Sequence, residues 1–384
     1  MQGNGRHILF YRIVRWFIAP GLKAWFRMQA ALAPRVSGPC IVIANHTTDW
    51  DGLFVSLSFP DHLYFVASEH IFRSRLARGL LRYWLDPIAK RKGGADVGTA
   101  MQMLRRLRAG SSVCLFAEGN KSWHGETCPV HPATGTLVKS AGVTLMTYRL
   151  EGGYFTSPRW AHTLRRGRMK GSVVRVYPPA QLAAMSAEAI NHAIAADIEE
   201  DAYQRQQQAP VAFRGKRLAE GIQNTLYLCP RCQQYGTLEG RGDTVACSCG
   251  LTGTYTPFGL LQGEGLPFTT LLQWGQWQRE TLYADLAQSQ GAPVFADDGQ
   301  TLLRIAEDHS TQILAQGTLT LGSDGLRLGA FHLPLPALRG LEIYGRNTIV
   351  FSDDQGARYQ VQTARERSAL KYFEAYAWLG KGRG

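Results

Sequence analysis

The chain has 384 residues, of which 45% are hydrophobic and 19% charged, with 42 Lys and Arg against 30 Asp and Glu. That length exceeds one compact core and that composition excludes a disordered or fibrous chain, so two or three globular domains are expected. No apolar run reaches the roughly 18–20 residues needed to cross a bilayer. Arg12 and Arg15 interrupt what would be the apolar region of an export signal.

The net charge of +12 is unevenly placed. Residues 1–217 carry 29 Lys and Arg against 14 Asp and Glu, whereas residues 218–384 carry 13 against 16. A basic front half suits phosphate-bearing partners: lipid headgroups, CoA-like thioesters or nucleic acid. Seven cysteines in a chain without an export signal point to thiols or metal ligands over disulfides.

The first segment, 8-ILFYRIVRWFIAPGLKAWFRM-28, has a two-sided pattern. Wound at about 100° per residue, Arg12, Arg15, Lys23 and Arg27 share an arc of about 120°. Phe10, Ile13, Val14, Phe17, Ile18, Trp25 and Met28 lie on the other side. The proline of 20-PG-21 divides the segment into two short helices. Aromatic faces with basic rims suit an anionic membrane surface; the alternative is a helix packed on the domain through the same apolar face. Residues 1–33 are read as this arm.

Residues 34–206 alternate. Strand-like runs are 40-CIVIAN-45, 62-HLYFVA-67, 112-SVCLFA-117, 143-VTLMTYRL-150 and 172-SVVRVY-177; helical spacing occupies 69–84, 98–110 and 186–206. Gly110 stands at a helix C-terminus and Ser186 at an N-terminus. The alternation predicts an α/β domain with a largely parallel sheet, whose functional groups gather where strands end. Asn45 and His46 follow one strand directly, and Glu118 and Gly119 follow another. Residues 207–221 read as a linker.

Residues 222–262 hold 229-CPRC-232 and 247-CSCG-250, with a turn at 240-GRGD-243 between them. Cys229, Cys232, Cys247 and Cys249 resemble the ligand set of a zinc ribbon, a closed structural site. Cys40, Cys114 and Cys128 read as two buried strand residues and a loop residue. Residues 263–384 start with a helix over 268–288, continue as short strands (302–306, 312–321, 325–335, 340–345, 348–353 and 357–363) and end in a helix over 364–380. These strands and closing helix loosely resemble a pleckstrin-homology-like barrel.

The stretch 44-ANHTTDWDG-52 sets His46 five residues ahead of Asp51. Four ordered blocks make it resemble the glycerolipid (lysophospholipid) acyltransferases related to 1-acylglycerol-3-phosphate acyltransferase. They are Asn45-His46 with Asp51, 85-LDPIAKR-91, 116-FAEGNKS-122 and 143-VTLMTYRLEG-152, covering roughly residues 36–180. The resemblance implies that His46 and Asp51 are catalytic, and that the acceptor hydroxyl attacks an acyl-CoA or acyl-carrier-protein thioester directly. Chemically, acyl transfer to an alcohol needs a base such as neutral imidazole, with a carboxylate to fix its tautomer. Asp49 is a rival partner on distance, but only Asp51 holds the family's position.

Arg91, Glu118, Gly119 and Lys121 read as the set that binds the lysolipid acceptor. Ala117 stands where the family has proline, and Asn120-Lys121 where it has Thr-Arg. Lysine keeps the charge without arginine's bidentate fork, which leaves the headgroup open. The basic run 159-RWAHTLRRGRMKG-171 is either a solvated loop or a clamp for CoA phosphates or anionic lipid, through Arg165, Arg166, Arg168 and Lys170.

The expected protein is thus an acyltransferase-type α/β domain followed by a zinc ribbon and a β-rich domain. It would act in the cytoplasm, peripherally at the inner face of the cell membrane. Water in place of the alcohol would make it a thioesterase, and a non-catalytic membrane- or nucleic-acid-binding scaffold is the reading from another class. Nucleic acid is disfavoured, because the ribbon half is net acidic.

Overall fold

The computed structural model describes residues 5–68, 86–90, 97–306, 308, 310–363 and 366–381. The chain divides into two compact units, one of Met1–Arg91, Ala95–Arg159 and Leu164–Arg214, the other of Lys92–Gly94, Trp160–Thr163 and Gly215–Gly384.

The first unit is built on seven strands: β1 (Met28–Ala30), β2 (Cys40–Ala44), β3 (Leu63–Ser68), β4 (Ile88–Lys90), β5 (Ser112–Phe116), β6 (Thr144–Glu151) and β7 (Met169–Tyr177). Their order is β1-β7-β6-β2-β5-β3-β4. Every neighbouring pair is parallel except β6 and β7. The helices are α1 (Gly5–Trp25), α2 (Asp51–Ser56), α3 (Val97–Arg108), α4 (Thr134–Ala141), α5 (Gly153–Thr156), α6 (Pro179–Ala184), α7 (Ala187–Ile198) and α8 (Ala202–Gln208).

The apolar run of β2 is explained by its central place. All five residues are buried, and successive side chains enter opposite layers. Val42 and Ala44 join Cys114, Met146 and Tyr148 on one face; Ile41 and Ile43 join Val113, Leu145 and Ile194 on the other. Cys40 and Cys114 are buried strand residues, as their surroundings in sequence suggested. Gly110 takes a positive φ of 81° just beyond α3. Ser186 caps α7, its hydroxyl accepting from Ala189 N. The helical pattern over 186–206 breaks before Asp201, which caps α8 through the amides of Tyr203 and Gln204. The helix expected over 69–84 lies outside the described residues.

The N-terminal segment corrects two expectations. It is one helix through Pro20 rather than two. Proline forfeits a hydrogen bond there, while Ala19 and Leu22 on either side pack against the core. The face turned to the domain is the one around Tyr11, not the apolar arc. Tyr11 is buried and donates to Phe59 O at 2.7 Å and to Ser56 O at 3.0 Å, and Arg15 Nη2 donates to Leu57 O at 3.1 Å. Ile13 and Phe17 of the apolar arc point away and are 46% and 69% exposed, with Leu9 and Trp16 beside them at 60% and 73%. Met28, assigned to that face from sequence, is instead buried in β1. Among the described residues no helix is long and apolar enough to cross a membrane.

The second unit holds two antiparallel sheets. Strands β8 (Leu238–Arg241), β9 (Thr244–Cys247), β10 (Thr252–Tyr255) and β11 (Leu261–Gln262) pair in the order β11-β10-β9-β8. Helix α9 (Leu271–Gln288) follows, begun by a capping box of Thr270 and Gln273. Then come β12 (Ala296–Ile305), β13 (Thr311–Gly322), β14 (Gly325–Leu328), β15 (Phe331–Pro334), β16 (Arg339–Tyr344), β17 (Thr348–Ser352) and β18 (Arg358–Thr363), ordered β15-β14-β13-β12-β18-β17-β16. The run 325–335, read as one strand, is two: Gly329 turns it at a φ of 55°, with its N–H on Thr318 O. Helix α10 (Leu370–Lys381) closes the unit, with Lys371 and Tyr372 buried on the Asp297 carboxylate at 2.8 and 2.9 Å.

Candidate active site

Strands β2 and β5 are parallel neighbours, with Ala44 opposite Phe116. They end side by side, so the residues beyond them share the carboxyl end of the central strands. Asn45 is buried and continues the sheet with its side chain: Nδ2 donates to Leu150 O at 2.9 Å, and Leu150 N donates to Oδ1 at 2.7 Å. His46 follows with its ring stacked on Phe116, centroids 4.4 Å apart.

His46 Nδ1 lies 2.9 Å from Asp51 Oδ2. Asp51 is the first residue of α2, and its carboxylate reaches back over the turn that precedes it. It accepts from Thr47 N at 2.6 Å, Thr48 N at 2.9 Å, Thr48 Oγ1 at 2.7 Å and Thr47 Oγ1 at 3.3 Å. Such a buried carboxylate is supported by four donors besides the imidazole, and by the helix N-terminus. The five-residue spacing, which would separate the two side chains on a helix, closes because strand, turn and helix meet here.

The other candidates divide. Asp49 points outward and pairs with Lys121 Nζ at 2.5 Å. Lys121 is largely buried, and burial pushes its ammonium below the ordinary lysine range against the pull of Asp49. Gly119 occupies a positive φ of 71°. Glu118 is buried, its two oxygens accepting from His46 N and Cys128 N, each at 2.5 Å. Burial pushes its carboxyl up to about 8 although both amides favour the charged form. Arg91 lies outside the described residues.

Arg159 was not singled out from sequence. Its guanidinium lies 4.3 Å from the centre of the Trp123 ring, and Nη1 is 3.4 Å from Asn120 Oδ1, so it abuts the Glu118–Ser122 loop. The signal was a basic residue in an arginine-rich run, which does not tell that one arginine from its neighbours. The run is not a single exposed patch: Arg165 is buried, and Arg166 bonds the last carbonyls of α1, Trp25 O at 2.9 Å and Ala24 O at 3.2 Å.

In the second unit, the sulfurs of Cys229, Cys232, Cys247 and Cys249 all lie within 4.8 Å of one another. Cys229 and Cys249 are 3.7 Å apart, and Cys232 and Cys247 are 3.8 Å apart. A tetrahedron with metal–sulfur bonds of about 2.3 Å has edges of about 3.8 Å, so the four thiols can hold a metal ion. The tight second knuckle is accommodated by Gly250, at a φ of 88°, donating to Cys247 O.

Residues 27–151 match the family model described as Acyltransferase. No curated protein matches the chain. Among solved structures, the chain is similar to the 1-acyl-sn-glycerophosphate (LPA) acyltransferase PlsC from Thermotoga maritima, at 17% identity and a TM-score of 0.43, covering 52% of this chain and 80% of that one. The family match supports acyltransferase activity in general terms. Over residues 27–151, which include His46, Asp51 and Glu118, this chain matches the acyltransferase family.

Proposed function

We propose that the protein is an O-acyltransferase that moves a fatty acyl group from acyl-CoA or acyl-carrier protein to the hydroxyl of a lysolipid such as 1-acylglycerol-3-phosphate. The observation that carries this reading is the 2.9 Å approach of His46 Nδ1 to the buried Asp51 carboxylate, within the stretch that matches the acyltransferase family. With Nδ1–H held by Asp51, Nε2 is left as the basic nitrogen. It takes the proton of the acceptor hydroxyl as that oxygen attacks the thioester carbonyl. The carbon–sulfur bond then breaks, and the imidazolium returns the proton to the leaving thiolate. The Asp51 carboxylate, hydrogen-bonded to Nδ1, stabilises the imidazolium.

In this reading Lys121, Gly119 and Arg91 form the acceptor side. Lysine supplies charge for an anionic headgroup, and glycine lets backbone approach it. The headgroup would compete with Asp49 for Lys121, an exchange at low cost because Asp49 is largely exposed. The α1 face of Leu9, Ile13, Trp16 and Phe17 would lie in an anionic leaflet, at the inner face of the cell membrane. The support is the exposure of four large apolar side chains on one arc while the opposite arc packs. The four cysteines would bind one zinc ion in a closed structural site.

The test is release of free thiol from a long-chain acyl-CoA, measured against a panel of lysolipids. Release dependent on one acceptor supports the transferase. Release without acceptor points to a thioesterase, and none in either case to a scaffold.

A further inference from the structure

The Glu118 side chain is committed in a way that its place in the acceptor-binding block does not suggest. It leaves β5 one residue after Ala117, beside the end of β2, and turns toward His46 rather than outward. One oxygen takes the His46 N–H and the other takes the Cys128 N–H, each at 2.5 Å. The residue is 8% exposed, and each of its oxygens is already held by a main-chain N–H. The loop that Glu118 begins grips the other side of the same residue: Ser122 N donates to His46 O at 3.1 Å, and Ser122 Oγ accepts from Gly125 N at 2.8 Å. His46 is therefore held at its N–H by a Glu118 oxygen, at its C=O by the Ser122 amide, at its ring face by Phe116 and at Nδ1 by Asp51.

We propose that Glu118 is a positioning residue, which fixes the His46 main chain and the Cys128 loop relative to each other, and is not a ligand of the acceptor headgroup. The chemistry explains the residue type. Two N–H donors converge on one side chain, and only a carboxyl group offers each of them an oxygen. Glutamine has the same shape but presents an NH2 to one of the two amides, donor against donor. Aspartate keeps both acceptors on a shorter reach. A shift of His46 by about 1 Å is enough to cost on the order of 100-fold in rate while acceptor binding is unaffected.

This inference rests on the reading of His46 as the base, and the experiment separates the two. Glu118→Gln and Glu118→Asp are compared with the wild type in full-length protein by amide hydrogen exchange and by turnover of 1-acylglycerol-3-phosphate with a long-chain acyl-CoA. In Glu118→Gln whichever of the His46 and Cys128 amides meets the new NH2 should exchange about tenfold faster or more, since that amide has lost its acceptor. Turnover should fall about 100-fold with KM for the acceptor within about threefold, and Glu118→Asp should recover part of it. A tenfold rise in acceptor KM with unchanged kcat and unchanged amide exchange would overturn the proposal in favour of a headgroup ligand. A wild type inert toward every acceptor removes the acyltransferase reading, but the exchange arm still decides the grip. If Glu118→Gln does not fold, the wild type decides it: rapid exchange at His46 and Cys128 overturns the proposal, and slow exchange at both supports it.

Discussion

Asp49 and Asp51 are two residues apart, yet only Asp51 touches His46, at 2.9 Å from Nδ1; Asp49 turns outward to Lys121. The difference arises at the start of α2, which buries Asp51 under the amides of Thr47 and Thr48 and leaves Asp49 in the preceding turn.

That geometry predicts unequal variants. His46→Ala should lower turnover on the order of 10²–10⁴-fold. Asp51→Asn should be comparably severe, because an amide permits the wrong tautomer and cannot stabilise imidazolium. Asp49→Asn should change turnover by less than about fivefold, since the Asp49 side chain is largely exposed and does not touch His46. Steady-state kinetics at matched thermal melts checks all three. A dead Asp49→Asn beside an active Asp51→Asn reverses the assignment.

The exposed face of α1 predicts loss of lipid binding without loss of fold. Trp16→Ser with Phe17→Ser removes two large side chains that are 73% and 69% exposed, and should weaken sedimentation with anionic vesicles by about tenfold or more. The melting temperature should stay within about 2 °C, because neither residue joins the core. Undiminished sedimentation would mean that α1 is not the anchor.

For the cysteine cluster, elemental analysis of protein purified without chelator should give about one zinc per chain. Cys229→Ser should lower the melting temperature on the order of 10 °C through loss of the metal cross-link. Metal-free protein with an unchanged melting temperature would sink the assignment.

Glu374 predicts a pH dependence of stability. Burial raises its carboxyl from 4.5 to about 7, although Tyr227 donates to it at 2.5 Å and favours the charged form. A carboxyl with a raised folded pKa binds more protons folded than unfolded between those values, so its contribution to stability falls as pH rises through that window. Glu374→Gln keeps an oxygen for Tyr227 and abolishes the titration. Relative to wild type, the variant should gain on the order of 1–3 kcal/mol between pH 4.5 and about 7, and nothing further above it. Urea midpoints across that range check this; a constant difference contradicts it.

How much was legible in the sequence follows from the range of each interaction. The alternation of strands and helices, the Ser186 cap, the hairpin at residues 240–243 and the closeness of four cysteines rest on spacings of a few residues, or on two such spacings brought together by one hairpin. Composition and periodicity report these directly. The five residues from His46 to Asp51 are also local, and need only a turn between strand and helix.

Tertiary structure decided the rest. Asn45 meets Leu150 across 105 residues, and Glu118 meets His46 across 72. Strand β1 finds its partner β7 more than a hundred residues later, and β7 runs against β6 although the rest of the sheet is parallel. The α1 face that packs was equally hidden. Two opposed arcs can each be drawn on a helical wheel, but the buried one was set by carbonyls at Ser56, Leu57 and Phe59 that accept from Tyr11 and Arg15. Periodicity records which side chains share a face; it carries no information about which distant groups will satisfy them.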